Sequence, residues 1–245
     1  KIGAFHEGEP SVFFRESVLE KCRVAVGIWG NRSSFEEVGR QLPVDGTEDD
    51  SNGDIITKVI CVGASTGGPG ALRELFVDQQ LQNDTVILVA QHMPGGFTSA
   101  LAERLSACSE FEVREAVAGE RIRGGKVYIA PGDFHLRVIK QGNCHYVELV
   151  KARGNDLCVP SVNELFESVA ENFDGPIMGV VLTGMGNDGS VGAEALSKAG
   201  ARIMVEAQDT AVVYGMPKAV IEKGIADEVH GLATLRLRLK TFIDE

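Results

Sequence analysis

Four apolar runs constrain the fold more than any other feature of this sequence. "KVICVGA" (58–64), "TVILVAQ" (85–91), "IMGVVLTG" (177–184) and "ARIMVEA" (201–207) are nearly continuous and rich in Val and Ile. A strand with one face in water alternates apolar and polar residues, so an unbroken run must be covered on both faces. Helical spacing follows the first two runs in "GALRELFVDQQL" (70–81) and "FTSALAERLSAC" (97–108), and a further helix is expected from about Ser190 to Ala199. Strands alternating with helices predict an α/β fold: a doubly wound, mainly parallel sheet with helices on both faces. "KVYIAPGD" (126–133) adds a strand. "HLRVIKQGNCHYVELV" (135–150) alternates around Gln141-Gly142-Asn143 and predicts an antiparallel hairpin. "PSVNELFESVAENF" (160–173) opens with Pro then Ser, the signature of a helix start.

The first 53 residues have a different texture. "ESVLEKCRVAV" (16–26) has helical spacing, and "PVDGTEDDSNGD" (43–54) is acidic and almost free of apolar residues, as a linker would be. The expected organisation is an appended segment over 1–53 and a main domain over 54–245. The net charge of −11 leaves no excess of Lys and Arg to neutralise phosphates, which disfavours a nucleic-acid partner. The five cysteines are scattered, without metal-ligand spacing, and read as reduced thiols of a cytoplasmic protein. No run reaches the roughly 18 apolar residues of a membrane span, so no membrane insertion is expected.

In such a sheet, ligands gather outside the carboxyl ends of the strands. Three strand ends carry glycine-rich loops with reactive side chains: "GASTGGPG" (63–70), "QHMPGG" (91–96) and "LTGMGNDGSVG" (182–192). The first lacks G-x-G-x-x-G, and the next strand ends in Gln91-His92 rather than an acidic residue, which disfavours a dinucleotide oxidoreductase. Gly63-Ala64-Ser65-Thr66-Gly67 instead fits the G-x-S-x-G elbow, in which a serine on a sharp strand-to-helix turn becomes a nucleophile. A plain turn with Ser65 as a helix cap is the competing reading. Serine needs a base. His92 ends the next strand and is the leading candidate, within reach of Ser65 Oγ through Nε2; His135, in "APGDFHL", is the runner-up. A neutral imidazole needs a carboxylate to fix its tautomer. Asp188 fits that role, or merely caps a helix; Asp133, in a Pro-Gly-Asp turn, is weaker. The backbone N–H groups of Thr66 and Met185 are the candidate oxyanion donors.

Together these loops resemble the catalytic domain of the chemotaxis protein-glutamate methylesterases. The shared motifs are "VGASTGGP", "QHMPGGFTSALAERL", "YIAPGDFH", "PSV", "LTGMGNDG" and "GMPKA", in family order from about Lys58 to Glu228. The resemblance implies Ser65 as nucleophile, His92 as base and Asp188 as its orienting carboxylate, with Thr66 and Met185 near the oxyanion. It implies removal of methyl groups from glutamates on the cytoplasmic helices of methyl-accepting chemotaxis receptors, deamidation of certain glutamines, and no metal or organic cofactor. Two departures stand out. The family often carries a basic residue or His before Pro-Ser-Val-Asp, whereas this chain reads Cys158-Val159-Pro160-Ser161-Val162-Asn163, which puts receptor contact or substrate choice there in question. The family also usually has an N-terminal receiver domain, and 53 residues are too few for a complete one. A phosphorelay kinase partner is expected only with a receiver upstream. The alternative function is a catalytically weak receptor-binding adaptor of the same fold.

Overall fold

The computed structural model describes residues 56–154 and 156–245. The appended segment, its expected helix, the acidic linker and the boundary at residue 53 lie outside the described residues.

The strands are β1 (Lys58–Ala64), β2 (Thr85–Gln91), β3 (Glu112–Glu115), β4 (Lys126–Ile129), β5 (Phe134–Gln141), β6 (Cys144–Lys151), β7 (Ile177–Val181), β8 (Arg202–Glu206) and β9 (Glu228–His230). The helices are α1 (Gly68–Phe76), α2 (Phe97–Ser106), α3 (Val162–Asn172), α4 (Ser190–Lys198), α5 (Gly215–Glu222) and α6 (Leu232–Asp244). Seven strands form a sheet in the order β3-β4-β2-β1-β7-β8-β9, and every pairing in it is parallel. β5 and β6 form the expected antiparallel hairpin, closed at Gly142.

The apolar runs behave as their composition requires. Successive side chains of a strand point to opposite faces. Val59 and Cys61 of β1 therefore join one core layer with Leu165 and Phe166 of α3, Leu196 of α4 and Val220 of α5. Ile60 and Val62 join the other with Leu72 and Leu75 of α1, Leu105 of α2 and Leu239 of α6. Helices thus cover both faces.

The order of the strands places the site. From β1 the chain steps one way to β2, and later returns to lay β7 on the other side. This reversal is where a doubly wound sheet opens a crevice at its carboxyl rim. Ser65 follows β1, His92 follows β2, and the Asp188 loop follows β7. No described helix is long and apolar enough to cross a membrane.

Candidate functional site

The Ser65 turn is built by its neighbours. Ser65 N–H donates to Thr183 O at 2.9 Å, and Ser65 O accepts from Gly68 N–H at 2.8 Å and from Gln91 Nε2 at 2.9 Å. The Thr183 hydroxyl donates to Thr66 O at 2.8 Å. Both carbonyls of the turn are thereby held. Among the described residues nothing accepts from the backbone N–H of Thr66 or of Met185. The chain enters α1 through Gly67 at φ +87°, a left-handed conformation that suits glycine and lets the turn be this sharp. Gly67, not Ser65, is the N-cap of α1, and no side chain caps that helix. The plain capping role for Ser65 is therefore not what the fold uses. The backbone is also crowded from the β7 side: a Cβ on Gly184 would lie 2.7 Å from Ser65 Cβ.

His92 stands beside this turn. Ala64 and Gln91 are register partners at the ends of β1 and β2, and His92 N–H donates to Ala64 O at 2.9 Å. The imidazole is mostly buried, with 13% of the side chain exposed, and it turns toward Asp188 rather than into the core. Its Nε2 donates to Asp188 Oδ2 at 2.7 Å. This corrects the expectation that Nε2 faces the serine. With Nε2–H on the carboxylate, Nδ1 is the nitrogen left as an acceptor.

Asp188 does not cap the helix that follows it, whose N-cap is Gly189. It sits instead at the start of α3. Oδ2 also accepts from Val162 N–H at 2.7 Å, and Oδ1 from Asn163 N–H at 3.1 Å, Ser161 Oγ at 3.1 Å and Gly189 N–H at 3.0 Å. Burial pushes this carboxyl up, but the bonds from His92, Val162 and Asn163 outweigh it, and the net shift is downward. The positive end of α3 acts in the same direction. Asp188 is thus an ionised carboxylate fixed against an imidazole.

The runner-up base has a structural task. His135 is buried, and both ring nitrogens are occupied: Nδ1 accepts from Ser161 N–H at 3.0 Å and Nε2 donates to Asp156 Oδ2 at 3.0 Å. It secures the residue that begins α3. Asp133 lies against the turn after His92, where a Cβ on Gly95 would collide with its carboxylate.

Two residues outside the expected set belong to this region. Cys158 supplies a donor atom within 4.8 Å of donor atoms of both His92 and Asp188. Burial, then the Asp188 charge, pushes its thiol up, so it stays protonated and is not an activated nucleophile. Asn163 faces inward. Its Oδ1 accepts from Gly189 N–H at 2.9 Å, Val191 N–H at 3.1 Å and Gly192 N–H at 2.8 Å, capping α4 from the neighbouring helix. This departure from the family motif is spent on the backbone of the Asp188 loop. The sequence signal for both was the altered segment Cys158–Asn163 itself.

Residues 60–239 match the family model described as CheB methylesterase. A protein-glutamate methylesterase/protein-glutamine glutaminase of Maricaulis maris (strain MCS10) is 44% identical over 178 residues, covering 73% of this chain and 44% of the relative. A relative of the same description, numbered 3, from Geobacter sulfurreducens is 44% identical over 175 residues, covering 71% of this chain and 47% of its own length. The chain spans about half the length of the curated relatives it matches. Among solved structures, the Thermotoga maritima CheB methylesterase catalytic domain superposes with a TM-score of 0.71 at 38% identity, covering 78% of this chain and 99% of that one.

Proposed function

The chain belongs to the CheB methylesterase family, and from that premise we propose that it is a cytoplasmic serine hydrolase that demethylates methyl-esterified glutamates, and deamidates glutamines, on the cytoplasmic helices of chemoreceptors. The observation that supports the proposal is that Ser65, His92 and the Asp188 loop follow three adjacent strands at their carboxyl ends, with His92 and Asp188 bonded at 2.7 Å.

Ser65 Oγ attacks the ester carbonyl while His92 Nδ1 takes its proton. Asp188 stabilises the imidazolium through Nε2. General base action of this kind contributes roughly 10²–10⁴-fold. The unpaired N–H groups of Thr66 and Met185 receive the oxyanion, and one such donor is worth about 10²–10³-fold. The imidazolium returns the proton to methoxide, and methanol leaves. Water, activated by the same imidazole, then releases the glutamate. With glutamine the leaving group is ammonia. Every step uses the chain's own residues.

A protein substrate suits the rim. Met185, Val212 and Leu157 are large apolar residues left exposed on loops around the site, as surfaces that receive a partner commonly are. The domain division at residue 53 and any phosphorelay kinase belong to the same proposal, the kinase only with a receiver upstream.

The test is methanol release from a methylated receptor fragment. The hydrolase reading predicts turnover that disappears in Ser65→Ala. Binding of the receptor without methanol release favours the adaptor of the same fold.

A further inference from the structure

Among the described residues, His92, Cys158 and Asp188 are the only group of three His, Cys or carboxylate side chains whose donor atoms all lie within 4.8 Å of one another. They come from three separate loops, so no ligand spacing in the sequence announces them. We propose that they form an inhibitory site for a thiophilic divalent cation of the zinc class.

The donor set fits such an ion. One sulfur, one imidazole nitrogen and one carboxylate oxygen are the ligand types of tetrahedral zinc, with a fourth position left for water. At zinc bond lengths of about 2.0–2.3 Å, donor atoms in a tetrahedron stand about 3.3–3.6 Å apart. The three donors are already within that range plus about an ångström of side-chain movement. The 2.7 Å bond between His92 and Asp188 has to open slightly for the ion to enter.

Charge balances as well. Binding displaces the Cys158 thiol proton to solvent, and the resulting thiolate and the Asp188 carboxylate together neutralise the dication. A neutral site suits a largely buried setting, where an unpaired charge is costly. Asp188 is held by four further bonds from Ser161, Val162, Asn163 and Gly189, which presents it as a fixed ligand.

The ion and the proposed chemistry exclude each other. An ion on His92 Nε2 replaces the bond to Asp188. An ion on Nδ1 occupies the nitrogen that receives the Ser65 proton. Either way the imidazole no longer serves as base. Metal binding itself stands apart from the hydrolase reading; only inhibition rests on it.

The test uses the purified chain in a non-chelating phosphine reductant, titrated with Co²⁺ and then with Zn²⁺ in competition. One equivalent of Co²⁺ is expected to produce a thiolate-to-metal charge-transfer band in the near ultraviolet, displaced by Zn²⁺. Cys158→Ala and Cys158→Ser are expected to lose the band and to bind Zn²⁺ at least about tenfold more weakly. Cys108→Ser and Cys144→Ser are expected to keep both. One equivalent of Zn²⁺ is expected to stop methanol release by the parent but not by the Cys158 variants. The proposal is overturned by the absence of a band in the parent, by a band that survives both Cys158 substitutions, or by Zn²⁺ affinity unchanged in them. If the chain is no hydrolase, the band and its loss remain readable, so the two failures are told apart.

Discussion

Asn163→Ala removes a cap that one helix provides for another. The Asn163 carbonyl accepts from three backbone N–H groups at the start of α4. Their losses are unequal. Gly189 N–H keeps a second acceptor in Asp188 Oδ1 at 3.0 Å. Val191 is exposed, so water replaces the lost partner. Gly192 is buried, and its N–H is the donor left unpaired, because the first N–H groups of a helix have no partner within it. One such donor costs about 1–2 kcal/mol, similar to the loss of an N-cap, and the two descriptions count the same bond. A domain of this size shifts in Tm by roughly 2–4 °C per kcal/mol, which predicts a drop of about 2–8 °C. Asn163→Asp keeps the acceptor oxygen and is expected to recover most of that drop. Melting by circular dichroism at neutral pH is the assay. An Asn163→Ala protein that melts within a degree of the parent would refute the reasoning, as would an Asn163→Asp protein that melts no higher than the alanine variant.

Asp188→Asn is expected to slow methanol release by roughly 10³–10⁴-fold, because the imidazole loses its orienting charge. The carboxyl is held below its ordinary 3.8 when folded, so its stabilisation is present above that pH and is lost as pH falls through the folded value. The gap in Tm between parent and Asp188→Asn should therefore be steady at neutral pH and close only below about pH 4; a gap that widens with acid contradicts this. Glu206 is buried, with Oε2 accepting from Thr183 N–H at 2.7 Å and Oε1 without a hydrogen-bond partner among the described residues, and burial pushes its carboxyl above the ordinary 4.5. The unfolded chain releases that proton first, so Glu206 weakens folding as pH rises past 4.5, and Glu206→Gln should gain in Tm relative to the parent over that range. Gly184→Ala drives a Cβ into the Met216 sulfur and to 2.7 Å from Ser65 Cβ; it should cost about 1–3 kcal/mol of stability and at least tenfold in turnover, read by melting and methanol release.

The central sheet was legible because its strands are buried on both faces and carry unbroken apolar runs. The edges were not. β3 reads Glu-Val-Arg-Glu and β9 only Glu-Val-His, too short and charged to signal a strand, as suits positions that must resist pairing with other chains. That Ser65, His92 and the Asp188 loop share one rim was legible for a related reason: parallel strands deliver the residues that follow them to the same end of the sheet. The choice between His92 and His135 was not settled by pattern alone, since both follow strand ends, and only the partners on its two ring nitrogens show His135 to be structural. The ring nitrogen that faces Asp188 depends on side-chain rotation, which no spacing encodes. Cys158 and Asn163 reach the site through the packing of α3 against the Asp188 loop, a tertiary contact between segments about 25 residues apart.

The central claim is that Ser65 is the nucleophile of an acyl-enzyme served by His92. Its most direct test is intact-protein mass spectrometry after exposure to a serine-directed fluorophosphonate, with the adduct located by peptide sequencing. The account predicts a single adduct on Ser65, absent in Ser65→Ala and formed far more slowly in His92→Ala. Labelling at another serine, or at Ser65 with undiminished rate in His92→Ala, would contradict it.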